Sequence, residues 1–150
     1  MNSIFAHQSI FMKKILPLHF AVYGIVVILS AIILFHFLVI AGIIPSDIVW
    51  GGNITDKSEL YTMEATSIAL NCFMLSIILV YAGIIKVGLN RKLVIGFIWL
   101  MFLLFLLNTV GNLLAKNSLE TYIFTPLTFI LSIFCLRITT AELARTKPVS

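Results

Sequence analysis

Four stretches of this 150-residue chain are more apolar than a soluble domain of its size can bury: Ile15 to Ile44, Met63 to Ile85, Lys92 to Ala115 and Leu119 to Ile138. Each is near or above the ~20 residues with which an α-helix crosses the hydrocarbon core of a bilayer, and far longer than a transmembrane β-strand of ~10. They account for a composition that is 61% hydrophobic and 11% charged, with a mean hydropathy of +1.12. Soluble domains carry ~25% charged residues. The expectation is an all-α, polytopic membrane protein. Its single membrane domain holds four transmembrane helices, at about 15–44, 56–86, 92–115 and 119–138.

The connections "VGLNR" and "KNSL" are short enough to make their flanking helices antiparallel neighbours in an up-down bundle. The first window follows Lys13-Lys14 but exceeds the ~7–15 residues of a cleavable signal, so it reads as a retained helix with Pro17 in its first turn. Before it, Ile4, Phe5, Phe11 and Met12 share roughly one face, which suits either an interfacial helix or an unstructured tail.

Charge gives the orientation. With the amino terminus in the cytoplasm, Lys13, Lys14, Lys86, Arg91, Lys92, Arg137, Arg145 and Lys147 fall inside, and of the ten basic residues only Lys57 and Lys116 fall outside. That is the positive-inside bias, and it puts both termini in the cytoplasm. Cys72 and Cys135 differ in expected depth by ~10 Å at 1.5 Å per residue, too far for a disulfide, and both read as buried thiols. No C-x-x-C, His-rich tract or phosphate-binding glycine loop is present, so no cofactor, metal or nucleic-acid partner is expected.

The segment "WGGNITDKSELYTMEA" holds three of the six acidic residues. Gly51-Gly52 reads as a turn, and Asp56 with Glu59 three residues on as a helix N-cap with its reciprocal partner. Asn117 and Glu120 repeat that spacing before the last helix. Glu64 is left over, two turns into the helix, where no cap needs it.

Helical spacing puts Glu64, Ser67 and Asn71 on one face of helix 2, and Asn108, Asn112 and Lys116 on one face of helix 3. Helix 4 carries Thr121, Thr125, Thr128 and Ser132 on one face. The expected depths match: Glu64 with Lys116 and Thr121, Ser67 with Asn112 and Thr125, Asn71 with Asn108 and Thr128. These stripes lie in the outer half, whereas residues 77–80, 100–107 and 129–134 are almost wholly apolar. Pro126 frees the carbonyl of Tyr122 at the same level. His36, on the outer part of helix 1, faces either this region or the interface. Trp50, Tyr61 and Tyr122 suit an outer aromatic belt, and Tyr23 and Tyr81 an inner one.

Two readings of the stripes stay open. Asn, Ser and Thr serve as interhelical hydrogen-bond glue worth ~0.6 kcal/mol each. Converging polar groups around an ionisable residue are also how a binding cavity looks in a membrane bundle. The candidate ligand-binding residues are therefore Glu64, Ser67, Asn71, Asn108, Asn112, Lys116, Thr121, Thr125, Thr128 and His36, and the expected partner is a membrane lipid or small polar molecule. The alternative is an accessory subunit that binds another membrane protein or itself. An intramembrane enzyme using Glu64 as acid or base ranks last, because only His36 stands beside it as a second catalytic candidate.

The stretches "WGGNITDKSELYTMEA" and "LNTVGNLLAKNSLE…TPLTF" resemble those of small bacterial four-helix membrane proteins. The resemblance runs from Ile43 onward. It implies a bacterial inner-membrane location, with no activity or site assignment.

Overall fold

The structure is a computed structural model, and residues 16–45, 56–115 and 120–145 are described. Among them there are four long helices and no strand: α1 (Leu18–Ile40), α2 (Lys57–Tyr81), α3 (Arg91–Leu113) and α4 (Thr125–Arg145). A π-helical turn, Glu120–Phe124, leads into α4. Each of the four is long and apolar enough to cross a membrane.

The helix starts follow the capping chemistry. Asp56 caps α2, its carboxylate accepting from the Ser58 N–H at 3.2 Å, and Asn90 caps α3 by accepting from the Lys92 N–H at 2.9 Å. Pro17 occupies the N-cap of α1, one position outside the expected first turn, and its carbonyl takes the Ala21 N–H at 3.2 Å.

The ends correct the sequence reading. α1 stops at Ile40 and α2 at Tyr81, each about a turn short of the apolar window. Both close with the same "AGII" segment. Gly42 (φ 72°) and Gly83 (φ 75°) adopt the left-handed conformation, and the following Ile N–H returns to the carbonyl of Leu38 or Leu79 at 3.0 Å. This is a Schellman closure, which glycine enters without the steric cost other residues carry. α4 instead continues seven residues past the expected end at Ile138, to Arg145.

At the start of the last helix the π turn sits directly before Pro126, where the ordinary i→i−4 bond is lost and the ring crowds the preceding turn. Thr121 Oγ1 donates within 3.2 Å of Asn112 O and 3.4 Å of Ala115 O, giving a donor to carbonyls that the end of α3 leaves open. The anticipated cap at Asn117 lies outside the described residues.

The main apolar core occupies one half of the molecule. It joins Ala21, Ile25 and Leu29 of α1 with Met74, Ile77 and Ile78 of α2, Ile98 and Phe105 of α3, and Leu131 and Ile138 of α4. Gly24 lets α1 approach the Phe134 ring, which Phe20 meets edge-on at 5.9 Å. Among the described residues, the other half has a small cluster of Val39 and Leu60 between α1 and α2. The broadest contacts are α3 with α4 and α1 with α2, whereas α2 meets α3 over a smaller surface that includes the edge-on Phe73–Phe97 pair.

Candidate functional site

Glu64 is the one acidic residue in the interior of α2, and its side chain is 0% exposed. Its carboxylate reaches α1, where Oε2 lies 2.6 Å from His36 Nδ1. His36 is itself nearly covered, at 15% side-chain exposure. An ionised carboxylate has no proton to give, so Nδ1–H is the donor whenever Glu64 is charged. Phe35, next to His36, packs edge-on against Phe124 of the π turn at 5.2 Å, which ties α1 to the start of the last helix. Val39 and Leu60, one turn away along each helix, close the apolar side of the pair. Beyond them a recess of about 530 Å³ opens between the helix ends, lined by Ile40, Pro45, Lys57 and Tyr61 among others.

His36 is thus brought to the site by a side-chain bond that helical spacing on α2 does not reveal. Lys116, the partner expected for Glu64, lies outside the described residues.

The rest of the α2 stripe behaves differently. Ser67 and Asn71 lie on the same face as Glu64, and that face is buried again at Met74 and Ile78, yet both are only half-buried. Asn71 Nδ2 donates to its own helix at Ser67 O, 2.8 Å away. On α3, Asn108 is exposed and Asn112 half-buried. The polar residues between the two cores are therefore only partly covered by the described protein.

The threonines of the last helix are largely engaged. Thr128 is buried with its hydroxyl 2.9 Å from that of Thr109 on α3. Either can donate across the pair, and the other proton has the carbonyl of Phe105 or Phe124 within reach. Ser132 Oγ donates to Phe129 O at 2.7 Å. Thr125 is half-buried. Thr109 escapes the sequence reading because it sits beside Asn108, one position off the stripe that the two asparagines define.

The second omission is an ionic centre at the opposite end. Arg91 grips Glu142 with two bonds, Nε to Oε2 at 2.9 Å and Nη2 to Oε1 at 2.7 Å. Arg145 Nη1 adds a third at 3.0 Å, and the Tyr81 hydroxyl a long fourth at 3.4 Å. The Arg91 guanidinium also stands 4.9 Å over the Tyr81 ring. Arg137, buried despite its charge, donates from Nε to Leu16 O at 2.7 Å. The signal was present as Glu142 and Arg145 at i, i+3, but ending the helix at Ile138 hid it. Cys72 also departs from expectation: it is exposed, while Cys135 is buried.

Chemically, the His36–Glu64 pair can hold or pass a proton. Among the described residues no group of three or more His, Cys, Asp and Glu side chains gathers as a metal set. The described residues form an all-α protein with four helices long and apolar enough to cross a membrane. Compared with family models, curated proteins and solved structures, the chain matches none.

Proposed function

We propose that this protein spans the bacterial inner membrane as an up-down bundle with both termini in the cytoplasm, and that its outer half binds a lipid headgroup or small polar molecule. The basic residues support the orientation. The alternation of directions is supported by His36, late in α1, meeting Glu64, early in α2, and by Arg91, early in α3, meeting Glu142, late in α4.

The observation that carries the binding reading is the half-open polar level on α2. A face buried at Glu64 and again at Met74 leaves Ser67 and Asn71 between them only partly covered, at the depth that helix spacing expects for Asn108 and Thr125. Polar surface facing hydrocarbon is disfavoured even where each group has one partner, so a polar occupant at this level is favoured over acyl chains. The carboxamides both donate and accept, which suits a headgroup rich in esters or hydroxyls. Glu64, fully buried and bonded to His36, closes the site at one end rather than lining it.

The test is native mass spectrometry of the protein extracted in mild detergent. A bound lipid or small molecule is expected on the wild type and lost in Asn71→Leu/Asn108→Leu, with melting retained. A wild type that carries nothing, or a variant that keeps the same adduct, refutes the reading.

One observation favours the second reading, an accessory or self-associating subunit. Asn108 is exposed beside Gly111, which has open space where a side chain would be, and such a face suits close helix–helix approach. Crosslinking from an introduced Gly111→Cys in native membranes distinguishes the two.

A further inference from the structure

From the ionic centre at the other end of the bundle we infer a binding site for the phosphate of an anionic membrane lipid, formed by Arg91 and Arg145 on the scaffold of Glu142. This rests on the membrane reading above but is independent of the outer site.

The Glu142 side chain is 9% exposed and is already gripped on both oxygens by Arg91. One such bidentate guanidinium already balances the carboxylate's charge. Arg145 is nevertheless drawn to the same Oε1, so the two nearest guanidinium nitrogens lie within about 6 Å of each other. Among the described residues, two cations share this one anion. Their mutual repulsion weakens the structural cluster and favours a further anion beside it.

The remaining donors point outward. The side chains of Arg91 and Arg145 are 54% and 62% exposed, and each guanidinium has five N–H groups, of which Glu142 takes only two and one. Glu142 and the Tyr81 ring fix the orientation of Arg91 in advance, so less conformational freedom is lost when a ligand binds.

The location selects the source of the phosphate. Arg91 opens α3 and Arg145 closes α4, which is headgroup depth for helices that span. Ile84, Val87 and Leu93 beside them are exposed apolar surface on which acyl chains can lie. Lys86 in the connection and Lys92 in the first turn of α3 are exposed and add attraction for an anionic surface. A phosphodiester offers two unesterified oxygens to two guanidinium forks, and a headgroup without the choline cation adds no positive charge against Lys86 and Lys92.

The experiment uses the full chain in phosphatidylcholine nanodiscs and in detergent micelles doped with phosphatidylglycerol, phosphatidylcholine or inorganic phosphate. Melting temperature and native mass spectrometry are the readouts. Phosphatidylglycerol is expected to raise the melting temperature and remain bound, with phosphatidylcholine and inorganic phosphate doing neither. Arg145→Gln keeps the Arg91–Glu142 pair and so the fold, and its apparent affinity for phosphatidylglycerol is expected to fall about tenfold or more, the loss of a charge-assisted bond. Glu59→Gln, exposed at the other end, is expected to leave that affinity unchanged. Equal effects of the two lipids, undiminished binding by Arg145→Gln, or full protection by inorganic phosphate would each overturn the site. Insertion into phosphatidylcholine nanodiscs without any preference for phosphatidylglycerol overturns this site alone. Failure to insert at all overturns the membrane reading and the site with it.

Discussion

Replacing Glu64 by alanine takes away the hydrogen-bond partner of a histidine that has little water to turn to. The magnitude follows from burial and charge. Glu64 is 0% exposed and the His36 side chain 15%, so neither group regains hydration when the other is truncated. Interhelical hydrogen bonds between membrane helices average about 0.6 and reach about 1.7 kcal/mol in double-mutant cycles. Bonds involving a charged group run to about 1.5–3 kcal/mol. The 2.6 Å separation is at the short end for such a pair, which places the expected coupling near that upper range, about 1.5–3 kcal/mol. Glu64→Ala alone should cost more, about 3–5 kcal/mol, because it leaves a cavity and unpaired neighbours at once. Glu64 has further interactions, so only the cycle isolates the share of His36. The assay is reversible unfolding in mixed micelles for Glu64→Ala, His36→Ala and the double variant, with Glu59→Ala on the exposed first turn as a control costing about 1 kcal/mol or less. Strict additivity, with coupling below about 0.5 kcal/mol, would show that the two groups merely lie close.

Gly24→Ala is expected to lower stability by about 1–3 kcal/mol, because the added methyl overlaps the Phe134 ring, which Phe20 also meets edge-on; an unchanged melting temperature would mean that α1 sits further from α4. In detergent, a maleimide should label exposed Cys72 well before buried Cys135, and mild oxidation of native membranes should give no intramolecular bridge; efficient bridging would contradict the expected depths. Reporter fusions near Asn53 and Ser118 should report the outside, and near Asn90 and at Ser150 the cytoplasm. Opposite locations for the two termini would overturn the up-down proposal.

The four helices were legible because length and apolarity are properties of a segment alone. Their ends were less so. Ile43, Ile44, Ile84 and Ile85 prolong the apolar windows past the true stops, while the glycines before them carried the better signal. At the other extreme, α4 outlasts its apolar stretch because Glu142 has ion-pair partners on α3 and within α4, and a helix needs no hydropathy to continue. Glu64 stood out as an acid that no cap required. Its bond to His36 did not, because α1 is apolar almost all round, and such a helix does not reveal which side meets its neighbour. The threonine stripe was visible as spacing. That Thr121 serves the end of α3 depends on how the chain turns between the helices, which spacing does not encode.

The most direct test of the outer binding site is an experimental structure of the protein in a lipid nanodisc, resolved well enough to see non-protein density between α2, α3 and α4. The account expects a headgroup or small polar molecule within hydrogen-bond distance of Asn71 and Asn108, with Glu64 still paired to His36. Side chains packed together across Ser67, Asn71 and Asn108, with no density between them, would contradict it and reduce the polar stripes to interhelical glue.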